Sequence, residues 1–209
     1  MGEQKINKVG VIGMGPVGMI LSVHLQEAGP EVAVCDLDKI KGNLIRTNGV
    51  ELEGVIKKKA GFKNVFSAIA DFESFNPDLL IVCLKTTHLP SAMKDIEKLG
   101  SKSMGVVCAM NGIDVENMIS QIIVEGRTFR MVINFAGNLT AANIGKVTFF
   151  NQPNYLASVD DSRKKEAEII SSLLSKVGLE TKPISSFELL KRTWEKTILN
   201  SSLSALCAV

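Results

Sequence analysis

The chain has 209 residues, 24 Lys and Arg against 22 Asp and Glu, a net charge of +2 and 45% apolar residues. That length holds one ordinary domain or slightly more, and the apolar fraction excludes a disordered chain. The near balance of charge offers no surface for a polyanion, which argues against nucleic acid as a partner. The longest uncharged run, from Thr197 to Val209, falls short of the roughly 20 residues that cross a bilayer, and the N-terminus carries no signal-peptide apolar region. Cys35, Cys83, Cys108 and Cys207 sit in apolar runs and form no C-x-x-C pair, as packed, reduced thiols do. The expectation is a soluble cytoplasmic protein with no metal site, no nucleic acid and no membrane.

Short apolar runs alternate with amphipathic stretches, the pattern of βαβ units on a parallel sheet. Residues 8–12 form a first strand, followed by a glycine turn and a helix over 17–28, in which His24 takes a surface or boundary position. Gly29-Pro30 leads into a second strand over 31–36, and the helix over 39–47 stops at the turn signal Asn48-Gly49. The fragments 50–52 and 62–66 flank Lys57-Lys58-Lys59, a solvated charge run, and predict a small antiparallel excursion. Residues 78–84, Asp-Leu-Leu-Ile-Val-Cys-Leu, are almost wholly apolar, as a central strand buried on both faces must be. A helix over 92–99 follows, with His88 at its start, then a strand over 105–110 and a helix from Asn111-Gly112 to about residue 124. Three strands close together, over 130–135, 146–150 and 155–159, predict an antiparallel tail on the sheet. Residues 162–177 carry the helical stripe Ala167, Ile170, Leu173, Leu174 and Val177. The class is therefore α/β, a Rossmann-type doubly wound, mostly parallel sheet with antiparallel tail strands.

From Ser185-Ser186 the pattern changes. Glu188 stands three residues after Ser185, the spacing of a capping box, and the helical pattern then runs to the end with no charge after Lys196 and no stop signal. A helix facing water carries charges, so this one is expected to be covered.

The chemistry begins at Gly13-Met14-Gly15-Pro16-Val17-Gly18, a G-x-G-x-x-G between strand and helix, with Asp36 18 residues beyond Gly18. The first glycine allows the tight turn, the second admits a pyrophosphate to the backbone, and the third lets helix and strand pack. The helix N-terminus then offers amide donors to the phosphates. Asp36 can accept from both ribose hydroxyls of NAD and would repel a 2′-phosphate. Its alternative is a capping role in Asp36-Leu37-Asp38, and Lys39, Lys41 and Arg46 stand close enough to blur the preference. Lys85 ends the central strand on the edge where α/β ligands bind, as a cofactor or substrate contact or a solvent-facing loop lysine. Asn111 ends the next strand on the same edge, where its amide can donate and accept at once, or simply shape a turn. Lys196 and Asn200 are one helical turn apart and share a face with Thr193 and Ser204. A lysine in such a stripe can hand a proton to a carbonyl oxygen as hydride reaches its carbon. A capping or surface lysine fits the same spacing.

Taken together, the residues Gly13 to Gly18, Cys83-Leu84-Lys85-Thr86, Met110-Asn111-Gly112-Ile113 and Trp194-Glu195-Lys196 with Asn200 resemble 2-dehydropantoate 2-reductases, the ketopantoate reductases, over nearly the whole chain. The resemblance implies reduction of 2-dehydropantoate to (R)-pantoate with NADPH, on the way to pantothenate and coenzyme A. It implies Lys196 as proton donor, Asn200 as a substrate contact, Asn111 touching both cofactor and substrate, Lys85 lining the cleft, and Ala136 contacting the cofactor by its loop position. Three departures stand out. Ser204 occupies the place of a second substrate-binding Asn. Asp36 and Asp38 replace the usual basic residue after the second strand, so the resemblance favours NADP while Asp36 favours NAD. The family also carries a helical C-terminal domain with a serine and a glutamate of the cleft. The implied organisation is a dinucleotide-binding domain over 1–184, with 185–209 as the first helix of an incomplete all-α substrate domain, covered by that domain or by a second copy in a homo-oligomer. Beside a 2-oxo acid reductase stand a non-catalytic dinucleotide-binding module and a reductase of a different 2-oxo acid.

Overall fold

Leu79, Leu80, Ile81 and Val82 are all buried, and this strand lies in the middle of the molecule. The computed structural model describes residues 5–100 and 103–207, with side chains to residue 202. In chain order, β1 (Lys8–Ile12) leads into α1 (Pro16–Ala28), β2 (Glu31–Cys35), α2 (Lys39–Asn48), β3 (Val50–Gly54), β4 (Lys58–Ala60), β5 (Asn64–Phe66) and the short α3 (Phe72–Phe75). Then come β6 (Leu79–Val82), α4 (Leu89–Leu99), β7 (Gly105–Cys108), α5 (Val115–Ser120), β8 (Thr128–Val132), β9 (Phe135–Ala141) and β10 (Ile144–Phe150). The chain closes with β11 (Asn154–Ser158), α6 (Lys164–Ser175), β12 (Thr181–Pro183) and α7 (Ser186–Cys207).

The main sheet runs β12-β11-β8-β7-β6-β1-β2-β5. From β5 to β8 every pairing is parallel, and β11 joins β8 antiparallel. Strand alternation sends Val9, Val11, Leu79 and Ile81 to one core and Ile12, Leu80 and Val82 to the other, so both faces are apolar and both are covered. The doubly wound α/β expectation is met, with β11 as the antiparallel tail.

Five local expectations are corrected. Residues 62–66 are not part of the antiparallel excursion, because β5 pairs parallel with β2 and extends the main sheet. The excursion is the β3–β4 hairpin, and it joins β9 and β10 in a separate sheet of order β4-β3-β10-β9. The strand over 146–150 therefore belongs to this second sheet and not to the tail of the first. The helix after Asn111-Gly112 is short, Val115–Ser120. Finally, His24 is 1% exposed. The physical reason for His24 lies in α1, whose residues from Gly18 to Leu25 are all buried. A helix apolar around its whole circumference must be covered on every side. The second sheet and α6 supply that cover on the side away from the main sheet. Gly145 of β10 faces Met19 of α1, where a Cβ would make ordinary contact at 3.6 Å from Sδ. Lys58 of β4 is likewise not merely solvated: it donates to Glu27 of α1 and to the Val177 carbonyl.

Helix α7 packs one side on β8 and β11 through Leu189, Val132 and Ala157. Ser186 donates its N–H and hydroxyl to Asp161 at 2.9 and 2.8 Å. Half of the capping box forms, with Ser185 Oγ accepting from the Glu188 N–H at 3.2 Å, while the Glu188 carboxylate turns to Arg192 instead. The outer side of α7 leaves Phe187, Leu190, Trp194, Ile198 and Leu199 exposed. Among the described residues no helix is long and apolar enough to cross a membrane. Cys35, Cys83 and Cys108 are free thiols, pushed up by burial; the Cys207 side chain lies outside the described residues.

Candidate functional site at the carboxyl edge of the sheet

Three glycines shape the loop between β1 and α1, each for a different reason. Gly13 has φ +91°, and a Cβ there would stand 2.9 Å from the Cys83 carbonyl. A Cβ on Gly18 would stand 1.9 Å from the Gly13 carbonyl, so helix and loop touch through it. Gly15 is unlike both. Its φ is −75°, open to any residue, and a Cβ there would meet no protein atom within 4 Å. Neither backbone nor packing calls for glycine at that position, and the free space over it fits a ligand that approaches the main chain. Gly15 is also the N-cap of α1, with Pro16 at the helix start, no side-chain cap and no acidic residue in the first turn, so the leading amides of the helix carry no side-chain acceptor.

Met14 faces the core, fully buried, and its N–H goes to Asp36 Oδ2 at 2.9 Å. The same oxygen accepts from Lys41 Nζ at 3.1 Å, and Asp36 Oδ1 accepts from the Asp38 N–H at 3.0 Å. The capping role falls to Asp38, which accepts from the Ile40 and Lys41 amides at the start of α2. Asp36 is therefore pinned under the glycine loop, with three of its roughly four acceptor positions taken.

The strand order β7-β6-β1-β2 sets Asn111, Lys85, the glycine loop and Asp36 in a row along one sheet edge. Lys85 is exposed directly beyond β6, where its carbonyl accepts from the His88 N–H at 2.8 Å and starts the turn into α4. Asn111 is exposed beyond β7, and Thr86 Oγ1 donates to its carbonyl at 2.9 Å, tying the two loops together. Val17 lies half-buried against the core. Ala136 is not in a loop as expected: it is exposed at the start of β9, paired with Phe149 of β10 in the sheet that covers α1.

At the β7–β8 side of this edge, α7 closes a small recess whose lining includes Asn111, Gly112, Arg130, Thr193, Lys196 and Asn200. Lys196, Asn200 and Asn111 are thus brought together from segments 85 residues and more apart. Lys196 is half-buried and its ammonium donates to the Ile133 carbonyl. Burial, and then the charge of Arg130, push its pKa from 10.5 down to about 8. The Thr193 and Thr197 hydroxyls back-bond to the helix, to Leu189 and Thr193 carbonyls. The Ser204 side chain lies outside the described residues. Among the described residues that line the recess there is no Asp or Glu, so its charge is positive and suited to an anion.

Arg130 is the residue that motif reading passed over. It is 3% exposed, donating from Nη2 to the Gly112 carbonyl at 3.0 Å and from Nη1 to Cys108 Sγ at 3.2 Å, with Glu116 Oε2 at 3.5 Å. One signal was available: an arginine inside an apolar strand of a sheet covered on both faces cannot reach water.

Residues 9–160 match the family model described as Ketopantoate reductase PanE/ApbA. A curated 2-dehydropantoate 2-reductase of Streptococcus pyogenes is 23% identical over 199 residues, covering 95% of this chain and 63% of that protein. The crystal structure of 2-dehydropantoate 2-reductase from Geobacter metallireducens has a TM-score of 0.82 at 17% identity, over 96% of this chain and 65% of that one. The ternary structure of D-mandelate dehydrogenase with NADH and anilino(oxo)acetate has a TM-score of 0.73 at 21% identity, over 85% of this chain and 56% of that one. At such identities the two structures share the fold, and the chain spans between 56% and 65% of the length of these proteins.

Proposed function

The chain belongs to the ketopantoate reductase family, and on that premise we propose that it carries the nucleotide cradle and the proton-donating recess of an enzyme that reduces 2-dehydropantoate to (R)-pantoate with a nicotinamide dinucleotide. The observation that carries this reading is the meeting of Lys196, Asn200 and Asn111 in one cationic recess, on the same sheet edge as a glycine loop with open space over Gly15. Residues 1–184 bear the nucleotide, and α7 brings the substrate side of the cleft.

The leading amides of α1 and the bare backbone at Gly15 hold the pyrophosphate, with Gly13 and Gly18 keeping the loop in shape. When bound, the nicotinamide supplies the hydride. Lys196, oriented by the Ile133 carbonyl, is protonated below about 8 and gives its proton to the ketone oxygen as negative charge gathers there. Asn111 and Asn200 offer amide donors and acceptors to the substrate's carboxylate and hydroxyl, and Lys85 closes the row toward the cofactor. The substrate is a small 2-oxo acid whose charge matches the recess. For the cofactor, Asp36 supports NADH through its remaining acceptor position. Lys41, 3.1 Å from Asp36, supports NADPH, because it can turn to a 2′-phosphate. A second reading, a reductase of another 2-oxo acid, draws on the D-mandelate dehydrogenase likeness.

The test follows nicotinamide fluorescence on addition of the protein to NADH and to NADPH, then the loss of absorbance on adding 2-dehydropantoate. Binding with turnover, abolished in Lys196→Ala while binding persists, is the expected result. Turnover that survives Lys196→Ala overturns the proton-donor assignment, and turnover of other 2-oxo acids but not 2-dehydropantoate favours the second reading.

A further inference from the structure

We propose that Arg130, in the wall of the recess, is a positioning residue of this site, which holds the Asn111–Gly112 turn and sets a fixed positive charge beside Lys196. The proposal rests on the reading of Lys196 and Asn111 given above.

Burying a guanidinium is costly unless it is paired and fully hydrogen-bonded, and here the pairing is incomplete. Among the described residues, Arg130 Nε and Glu116 Oε2 have no hydrogen-bond partner although both are buried, and the charges stand 3.5 Å apart. Two apolar side chains would serve the fold at least as well. What the pair adds is reach. The guanidinium fork joins three elements: Cys108 at the end of β7, the Gly112 carbonyl and Glu116 on α5. Gly112 has φ +118°, and the turn it forms is held on one side by Thr86 through the Asn111 carbonyl and on the other by Arg130 through the Gly112 carbonyl. Asn111 is set between these two ties.

The same fork places a permanent positive charge beside Lys196. The neighbours of Lys196 on other elements leave Arg130 in that role. From β8 comes Arg130, backed by Glu116 and the neutral Cys108 thiol. One turn back on α7, Arg192 covers the Tyr155 ring and pairs with Glu188 and Glu195. The Asn111–Gly112 turn brings no charge. Next to burial, Arg130 is the cause that lowers the Lys196 pKa.

The test compares the parent with Arg130→Lys and with the double variant Arg130→Met, Glu116→Met, which leaves no charge buried alone. In lysine-labelled protein, the titration midpoint of Lys196 is read by NMR, with Lys196→Arg to assign the signal. This readout needs neither cofactor nor turnover. The double variant is expected to move the midpoint upward, toward the ordinary lysine value, and Arg130→Lys to keep it near the parent's. Arg130→Lys retains the charge but not the fork, so the Asn111 side-chain amide signal should shift and kcat fall about ten-fold, the worth of one hydrogen bond to a charged group, with KM changed much less. A folded double variant with an unmoved midpoint overturns the charge role. Should the double variant fail to fold, Arg130→Lys decides: an unshifted Asn111 signal with parental kcat overturns the proposal. A protein without 2-dehydropantoate turnover but with the moved midpoint would sink the functional reading and leave the role of Arg130 standing.

Discussion

Replacing Lys196 with Met should make the folded chain more stable at neutral pH, because the lysine sits where its charge is unwelcome. Burial first, and Arg130 second, lower its pKa from 10.5 to about 8. A base with a folded pKa below its unfolded one opposes folding when protonated. The penalty is full below about 8, shrinks between there and 10.5, and is gone above. At about 1.4 kcal/mol per unit, it amounts to about 3 kcal/mol at neutral pH. Met retains the apolar stem but leaves the Ile133 carbonyl without its donor, a loss of about 1 kcal/mol. The net gain of about 2 kcal/mol corresponds to about 4–8 °C in Tm for a chain of this size. Raising the pH to about 9.5 releases about 2 kcal/mol of the penalty in the parent, so the two proteins should converge. Urea or thermal unfolding followed by circular dichroism at several pH values checks this. A Met variant less stable at neutral pH, or a stability difference that ignores pH, would refute the idea that Lys196 is held desolvated and poised to give up its proton.

Other expectations rest on separate features. Gly15→Ala should leave the unfolding midpoint unchanged, since the new Cβ meets no protein atom, yet weaken nicotinamide dinucleotide binding about ten-fold or more in a fluorescence titration. Gly18→Ala should weaken binding and also destabilise the chain, because its Cβ would lie 1.9 Å from the Gly13 carbonyl. Gly10→Ala pushes a methyl to 2.7 Å from the Phe72 ring and 2.8 Å from Leu80, and should cost about 1–3 kcal/mol in urea unfolding. His24, its pKa lowered by burial, must be neutral with Nδ1–H on the Ile20 carbonyl. Its contribution is therefore present above its ordinary 6.5 and lost as the pH falls below that value. His24→Leu should flatten the acid limb of the stability curve, and an unchanged limb would place the acid sensitivity elsewhere.

Local signals carried the main sheet and the nucleotide loop. The apolar run at residues 78–84, the glycines at 13, 15 and 18, and the strand ends at Lys85 and Asn111 are short-range facts, since strand period and turn geometry act within a few residues. Lys196 and Asn200 were legible for the same reason, one helical turn apart. The second sheet was not. Phe135-Ala136-Gly137-Asn138 has no apolar alternation and looks like a turn, and β9 forms because β10 and α1 wait for it. His24 was misjudged for want of that same cover.

Legible from the residues alone were therefore the α/β class, the glycine loop from Gly13 to Gly18 and the candidate side chains along the sheet edge. The tertiary structure decided that Asp36 is tied to Met14 and Lys41, that α1 is enclosed, and that α7 folds back to set Lys196 near Asn111 and above Arg130. The division has a physical origin. Spacing along a strand or helix is written in covalent geometry, whereas the burial and neighbouring charge that lower the pKa of Lys196 arise only where distant segments pack together.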